Sequence, residues 1–314
     1  MSGVDSVLLV AFGGPTAPQE IRPFLELVAR GREIPAERLE EVARHYEAMP
    51  GGRSPLAELT RAQAQGLERA LAADGRPLPV FVGMRNWHPF LHETLGEMAG
   101  RGARRAVGVI LSPLRTEASW DRYIQDVADA RARVGGAPEV EFGPPWFDHA
   151  GFVAAVADRT RAALARVPTA ARAWAPLVFT AHSVPAAMAD ASPYVSDLTA
   201  AVRAVVGRLD HPRWSIAYQS RSGSPRQPWL EPEVGDVLRR LAADGERHAI
   251  VVPIGFVCDH VEVLYDLDVE ARRVAAAAGI ELHRAAAVND HPEFVAMLAD
   301  LVRGARDKVR AAAR

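Results

Sequence analysis

The sequence predicts an α/β fold made of two similar doubly wound domains. Short apolar runs of strand length alternate with longer amphipathic stretches along the 314 residues, and this alternation favours mostly parallel sheets covered by helices. The two halves also open alike, with "SVLLVAFGGP" in the first and "APLVFTAHSVP" in the second. These two observations predict a repeated α/β unit, with one domain at residues 1–150 and the other at 151–314.

Each predicted element follows from its apolar pattern. The apolar runs predicted as strands are Ser6–Ala11, Pro79–Gly83, Ala106–Leu111, Pro176–Ala181, Trp214–Gln219 and His248–Pro253. The amphipathic stretches predicted as helices are Arg53–Ala73, Pro89–Ala99, Trp120–Val134, Gly151–Ala165, Tyr194–Val206, Glu233–Ala243 and Glu262–Ala278. Ligands of open α/β sheets bind beyond the carboxyl ends of the strands, so we expect functional residues just after each run.

Composition and charge exclude several classes of protein. The formal net charge is -2 and the basic residues are dispersed, so no nucleic-acid footprint is present. The single cysteine, Cys258, excludes an intrachain disulfide and an all-cysteine iron–sulfur site within this chain. The N-terminal region lacks a basic segment and no apolar run reaches about 18 residues, so the sequence predicts a soluble, cytoplasmic protein without a transmembrane segment.

The segment "IGFVCDHVEVLYDLDVE" follows a predicted strand with many carboxylates. A helix that begins near Asp259 would carry Glu262, Asp266 and Glu270 at i, i+4 and i+8 on one face. Asp259 itself is expected to cap that helix. Two interpretations of the three other carboxylates remain open, a solvated acidic face or a series of oxygen ligands for a divalent cation.

His182 directly follows the apolar run "LVFTA" and should lie at the carboxyl end of a strand. A structural role is open for a lone histidine in this position. An imidazole and a carboxylate at two strand ends of one domain can also face each other across a cleft, where they suit Fe(II) binding and proton removal. His260 is interpreted as a hydrogen-bonded neighbour of such a site.

Several segments resemble those of the ferrochelatases, enzymes that insert ferrous iron into a porphyrin. They are "LLVAFGGP", "HYEAMPGGRSPL", "VGMRNWHPF", "FTAHSVP", "YQSRSGSPRQPWLEPEV" and "PIGFVCDHVEVLYDLDVEA". The similarity is collinear from about residue 6 to residue 302, and "DHVEVLYDLD" is similar to the soluble branch that acts on coproporphyrin. The resemblance implies two Rossmann-like, chelatase-type domains with a cleft between them.

The resemblance also implies the roles of particular residues. His182 and Glu262 correspond to the metal-site histidine and its partner carboxylate, and both are expected to be catalytic. Asp266 and Glu270 match outer acidic residues on the metal path. The positions implied on the porphyrin side are Phe12, Arg30, His45, Tyr46, Ser54 and Tyr123.

Phe12 stands where many coproporphyrin-type relatives have a tyrosine that ligates the product iron, and phenylalanine cannot ligate. Phe12, Trp87 and Trp229 are candidates for the walls that bury the ring, although each tryptophan also suits an ordinary core position.

The expected function is therefore insertion of Fe²⁺ into coproporphyrin III to give coprohaem in haem biosynthesis. The resemblance implies porphyrin and Fe²⁺ as substrates, no tightly bound cofactor, and transient contact with neighbouring enzymes of the haem pathway. Three alternatives remain open at this stage: a protoporphyrin IX ferrochelatase, a non-catalytic tetrapyrrole or metal carrier on the same fold, and a related cobalt or nickel chelatase.

Overall fold

Two parallel sheets form the framework of the protein in a computed structural model that describes residues 3–31, 35–222 and 227–312. The first sheet contains β1 (Ser6–Ala11), β2 (Val80–Met84), β3 (Arg105–Ile110) and β4 (Glu139–Phe142). The second contains β5 (Leu177–His182), β6 (Trp214–Gln219), β7 (His248–Val252) and β8 (Glu281–Arg284). The order is β2-β1-β3-β4 in the first and β6-β5-β7-β8 in the second. The two sheets therefore repeat one topology, which confirms the predicted fold class.

Helices connect the strands in both halves. Those of the first half are α1 (Ile21–Ala29), α2 (Ala36–Glu47), α3 (Leu56–Ala73), α4 (Leu91–Gly100) and α5 (Arg122–Ala132). Those of the second half are α6 (Ala150–Leu164), α7 (Thr169–Arg172), α8 (Ala186–Asp190), α9 (Tyr194–Leu209), α10 (Val234–Ala243), α11 (Val261–Tyr265), α12 (Arg272–Ala278) and α13 (Pro292–Ala312). No helix in the described ranges combines the length and the apolar character that a membrane span requires.

The predicted strands and helices match the structure closely, but several elements were not predicted. The elements without a counterpart in the sequence prediction are strands β4 and β8 and helices α1, α2, α7, α8 and α13. The predicted helix Glu262–Ala278 is divided into α11, a π-helical segment at Asp266–Ala271, and α12. A second π-helical segment, Glu117–Asp121, precedes α5.

The strand order places one crevice at the end of each sheet. The chain runs from β1 to β2 on one side and then to β3 on the other, so the order reverses between β1 and β3. The same reversal lies between β5 and β7. Ligands of doubly wound sheets bind at such a switch point, beyond the carboxyl ends of the strands. His182 is the last residue of β5, so it lies at the switch point of the second sheet.

The connection between the two halves is packed. Trp146 is only 1% exposed, and its indole N–H donates to the backbone oxygen of Ile110 at the end of β3, at 3.1 Å. Its ring meets the rings of Phe152 on α6 and Phe294 on α13 edge-on, with centroids 5.2 and 5.7 Å apart. Helix α13 also contacts α3 and β3 of the first half. The domain boundary at residues 150 and 151 stays a prediction.

Replacement of Trp146 by alanine should lower the free energy of unfolding by about 3–5 kcal/mol, because the change opens a large cavity where the halves meet. Trp174 is 63% exposed, so Trp174→Ala is a matched control that should change stability by no more than about 0.5 kcal/mol. Urea denaturation followed by circular dichroism measures both. Equal stability of the two variants would contradict this account of the joint.

Candidate active site

The segment that follows β7 lies directly on the end of β5. The backbone N–H of Gly255 donates to the carbonyl oxygen of Thr180 at 3.0 Å. A Cβ atom at residue 255 would lie 2.7 Å from both the Cα and the Cβ atoms of Ala181, so only glycine fits this approach. The contact brings the chain that leads to Glu262 beside the residue that follows Ala181, which is His182.

His182 and Glu262 face each other at this place. The Nε2 atom of His182 lies 3.9 Å from the Oε1 atom of Glu262, and the two side chains are 28% and 41% exposed. A metal ion with bonds of about 2.0–2.2 Å to nitrogen and oxygen, as for zinc, can span both atoms without moving either. The pair is open enough to solvent for an ion to enter.

The imidazole of His182 is oriented by the backbone of the next residue. Its Nδ1–H donates to the carbonyl oxygen of Ser183 at 2.5 Å, which leaves the lone pair of the neutral ring on Nε2, the atom that faces Glu262. The hydroxyl of the buried Tyr194 donates to the backbone oxygen of His182 at 2.8 Å. The ring therefore presents a nitrogen that can bind a cation or accept a proton.

The backbone of Glu262 is held from two sides. Its N–H donates to Nδ1 of His260 at 3.3 Å, and its carbonyl oxygen accepts from the side-chain amide of Gln219 at 2.6 Å. Gln219 is the residue paired with His182 in the sheet, so the strand end that carries the histidine also fixes the glutamate.

The expectation that Asp259 caps the following helix was wrong. The capping side chain is His260, which accepts from the N–H of Glu262. The Oδ1 atom of Asp259 instead pairs with the guanidinium of Arg284 at 2.7 Å, and its Oδ2 atom accepts from the amide of Asn289 at 2.8 Å. Asp259 thus ties the segment to the end of β8, and the ion pair with Arg284 compensates its charge.

The π-helical segment begins at Asp266, so the register between Asp266 and Glu270 departs from the α-helical spacing that the sequence predicted. Its carboxyl accepts a hydrogen bond from the Ser220 hydroxyl. Burial raises the pKa of Asp266 to about 8, and the carboxylates of Glu262 and Glu270 act in the same direction while Ser220 opposes them. Asp266 therefore holds a proton at neutral pH.

Glu270 is the third carboxylate of the series and lies in the same π-helical segment as Asp266. Burial raises its pKa, Arg273 and Arg38 oppose the increase, and the carboxylates of Glu233 and Glu41 add to it. Asp266 thus interacts electrostatically with both Glu262 and Glu270.

The first half supplies a wall next to these acids. Tyr46 on α2 is buried in one apolar cluster with Val261 of α11. Burial raises the pKa of Tyr46, and the carboxylates of Glu262 and Asp266 raise it further. His45, the preceding residue, stacks on the ring of Tyr265 with centroids 3.7 Å apart. Helix α2 is thus packed against the helix that carries Glu262.

An aromatic group lies at the end of β1. Phe12 is 41% exposed and meets Phe24 edge-on, with centroids 6.4 Å apart. Trp87 also packs edge-on against Phe24, at 5.9 Å, and its indole N–H donates to Glu20 at 2.8 Å. Trp87 therefore belongs to a packed cluster, whereas Phe12 presents an apolar surface to solvent.

Tyr123, on α5, lies beneath the guanidinium of Arg85, which is 4.7 Å from the ring centroid. Burial raises the pKa of the Tyr123 hydroxyl to about 12, with Arg85 opposing the increase and Glu262 adding to it. Arg85 also donates to Asp126 at 2.5 Å. The interaction with Glu262 links Tyr123 to the second-half acids.

Two other predicted porphyrin contacts lie in different surroundings. Ser54 is buried against Gly14, and its hydroxyl accepts from the backbone N–H of Leu56 at 3.3 Å, so it stabilises the start of α3. Arg30 is exposed at the end of α1, where its backbone N–H donates to Leu27. No hydrogen bond or ion pair within the described ranges joins Arg30 to another predicted site residue.

The comparisons with known proteins agree with this geometry. The family model for ferrochelatase matches residues 4–306. The chain belongs to the ferrochelatase family.

Its relatives include the coproporphyrin III ferrochelatase of Mycolicibacterium smegmatis, 44% identical over 302 residues, which cover 95% of this chain and 88% of the relative. The coproporphyrin III ferrochelatase of Mycobacteroides abscessus is 45% identical over 306 residues, with 95% and 87% covered. Among solved structures, SirB from Bacillus subtilis with Fe³⁺ aligns with a TM-score of 0.59 at 13% identity, covering 96% of this chain and 94% of that one. That structural likeness supports the chelatase-type fold.

Three side chains at this ferrochelatase site were missed by the sequence prediction. Gln219 and Tyr194 hold the backbones of Glu262 and His182, and Ser220 binds Asp266. Gln219 and Ser220 lie at the carboxyl end of β6, where the strand-end rule directs attention, but no local motif assigns them partners. Ser220 has a φ of 62°, a left-handed conformation that is uncommon outside glycine and often found at functional sites.

Asp266→Asn should change how stability depends on pH. In the wild type, the unfolded carboxyl ionises near its ordinary pKa of 3.8 while the folded one ionises at about 8, so the folded state binds more protons between these values and stability falls as pH rises. Asparagine does not titrate, so Asp266→Asn removes this dependence of stability on pH. The variant should therefore gain stability relative to the wild type from pH 5 to pH 7.5, by at most about 3 kcal/mol.

The measurement is urea unfolding of both proteins at the two pH values, in the presence of a chelator. Asp236 is exposed on α10, and Asp236→Asn is the control that should show no such change. A stability difference for Asp266→Asn that is the same at both pH values would refute the assigned protonation.

Proposed function

We propose that this protein inserts Fe²⁺ into coproporphyrin III to give coprohaem, with His182 and Glu262 on the metal side of the ring. The observation that carries the proposal is the 3.9 Å separation between the His182 imidazole and the Glu262 carboxylate at the switch point of the second sheet, in a chain of the ferrochelatase family. Relatives about 44% identical over nearly the whole chain are named coproporphyrin III ferrochelatases, which supports the choice of porphyrin.

His182 acts as a metal ligand and as a proton acceptor. A free porphyrin carries pyrrole N–H groups, and iron cannot bind all four nitrogens until those protons leave. The Nε2 lone pair of His182 is available because Nδ1–H is engaged by Ser183. Glu262, the second ligand, relays the released proton away from the ring.

Asp266 and Glu270 connect this pair to solvent. Because the pKa of Asp266 is raised to about 8 by burial and by neighbouring carboxylates, an approaching cation favours its ionised form and displaces its proton. An arriving ion and a departing proton can thus use one path with little build-up of buried charge.

The opposite face of the ring meets the first half. Phe12 offers an exposed apolar surface at the end of β1, and it packs against the porphyrin without ligating iron. Tyr46 and Tyr123 are buried, and the charge of Glu262 acts on both of their hydroxyls. Arg30 and His45, together with Ser54, are assigned to the propionate side by the family resemblance alone.

The remaining expectations stay predictions. Within these 314 residues the one cysteine is Cys258, which is buried and accepts from the amide of Gln63 at 3.4 Å, and we propose that the protein uses no iron–sulfur cluster and no tightly bound cofactor. A cytoplasmic location and transient contacts with neighbouring enzymes of the haem pathway belong to the same proposal.

His182→Ala should lower iron insertion by about 10²–10⁴-fold, the usual contribution of a positioned acid–base group, and should leave porphyrin binding within a few-fold of the wild type. Glu262→Gln keeps the shape of the side chain but loses its charge, and should flatten the pH dependence of kcat. Anaerobic assays with Fe²⁺, together with fluorescence titration of the porphyrin, measure both effects.

The control is His92→Ala, which changes an exposed histidine on α4 and should retain full activity. Near-wild-type activity of His182→Ala would remove the imidazole from the mechanism, and an unchanged pH profile for Glu262→Gln would remove the proposed relay.

The substrate is tested by comparing coproporphyrin III with protoporphyrin IX under identical anaerobic conditions. We expect a higher kcat/KM for coproporphyrin, by about tenfold or more, since its additional propionates can pair with polar groups at the rim of the cleft. A preference for protoporphyrin would overturn the substrate but keep the reaction, whereas binding without insertion would indicate a non-catalytic carrier.

A further inference from the structure

A group of two histidines and a glutamate lies at the end of the second sheet that is opposite His182. His248 is the first residue of β7 and Glu281 is the first residue of β8, and the two are paired in the sheet. Paired residues of parallel strands point to the same face, and so does a residue two positions further along. His283 is two residues after Glu281, so all three side chains share one face of the sheet.

Their ligand atoms are spaced as a metal ion requires. His248 Nδ1 is 3.3 Å from His283 Nε2 and 3.4 Å from Glu281 Oε2, and His283 Nε2 is 3.7 Å from Glu281 Oε1. A tetrahedral ion with bonds of about 2.0–2.1 Å holds its ligand atoms about 3.3–3.4 Å apart. One ligand atom from each of these three side chains lies within 4.8 Å of the other two, and no other group of three histidine, cysteine, aspartate or glutamate side chains in the described part of the chain does so.

Hydrogen bonding explains the distances less well. The contact between His248 Nδ1 and His283 Nε2 meets hydrogen-bond geometry at 3.3 Å, but all three distances exceed the usual length of about 2.9–3.0 Å. The rings of His248 and His283 are also tilted by 34° at a centroid distance of 5.5 Å, so they are not stacked. The arrangement leaves room between the three atoms instead of closing them into short hydrogen bonds.

The surroundings leave one side of the group open. His283 is buried, the side chain of His248 is 18% exposed, and that of Glu281 is 65% exposed. Water can therefore complete a coordination shell on the Glu281 side. Two guanidinium groups, Arg166 and Arg272, act on His283 from nearby and oppose a cation, so we expect micromolar affinity.

The corresponding place in the first half supplies a comparison. There Arg105 of β3 is paired with Glu139 of β4, and the two form an ion pair at 3.3 Å. In the first sheet, the guanidinium of Arg105 thus supplies the positive charge that joins β3 to β4. In the second sheet, two imidazoles face one carboxylate and no arginine stands at the equivalent position of β7.

We propose that His248, Glu281 and His283 bind a divalent cation of the zinc type, separate from the iron substrate, and that the ion fastens β8 to β7. Two imidazole nitrogens and one carboxylate oxygen in this geometry suit zinc, with water as a fourth ligand. Strand β8 ends in Arg284, the partner of Asp259 and Asp268, so the ion stabilises the strand that anchors the active-site segment.

The test measures zinc binding in a variant that lacks His182 and Glu262, the proposed ligands of the iron substrate. The double variant His182→Ala/Glu262→Gln, stripped with a chelator, is titrated with ZnCl₂ by calorimetry. We expect this double variant to bind zinc with micromolar affinity. Adding Glu281→Gln should weaken zinc binding by more than about tenfold, and adding His248→Ala should abolish it at this site. Zinc should also raise the melting temperature of the double variant but not that of the His248→Ala derivative.

Glu139→Gln, which changes the equivalent carboxylate of the first sheet, is the matched control and should leave zinc binding unchanged. Circular dichroism verifies that each variant is folded; the exposed Glu281 is used because replacing the buried His283 could disturb the core. Absence of zinc binding in the double variant, or the same number of bound zinc ions with and without His248→Ala, would overturn the proposal. The outcome does not depend on which porphyrin the protein uses.

Discussion

The active-site geometry depends on one close contact, that of Gly255 with the end of β5. The segment after β7 can approach β5 only because residue 255 has no side chain, and any Cβ there would overlap Ala181. This contact brings the chain over the strand that ends in His182. Two hydrogen bonds then fix the backbone of Glu262 opposite the imidazole: its N–H donates to Nδ1 of His260, and its carbonyl oxygen accepts from the side-chain amide of Gln219. The chemistry therefore rests on a steric constraint several residues before the carboxylate.

The two halves share one topology but carry different residues at equivalent positions. The ends of β1 and β5 are equivalent positions. Phe12 directly follows β1, and His182 is the last residue of β5. The helical regions after β3 and β7 are also equivalent. A π-helical segment precedes α5, which carries Tyr123, and another follows α11, which carries Glu262. One half thus contributes mainly aromatic side chains, and the other contributes His182 and Glu262, the proposed metal ligands. A flat ring between them would have an apolar face and a reactive face.

The sequence predicted the central strands well because both of their faces are buried and they read as continuous apolar runs. It missed β4 and β8, which are edge strands of four residues with charged or polar side chains, as in "EVEF" and "ELHR". The metal-site residues could be proposed from strand ends and family resemblance, but the π-helical register at Asp266 could not. That register, like the Asp259–Arg284 ion pair, depends on contacts between segments distant in sequence.

The central claim is that His182 and Glu262 act on the same ion as one unit, and a double-mutant cycle tests it most directly. The kcat/KM for anaerobic iron insertion is measured for the wild type, His182→Ala, Glu262→Gln and the double variant. If both groups act on one ion, removing either one already abolishes their joint function. The kcat/KM of the double variant should therefore be only slightly lower than that of the less active single variant. Losses that multiply, so that the double variant falls by the product of the two single losses, would contradict the account.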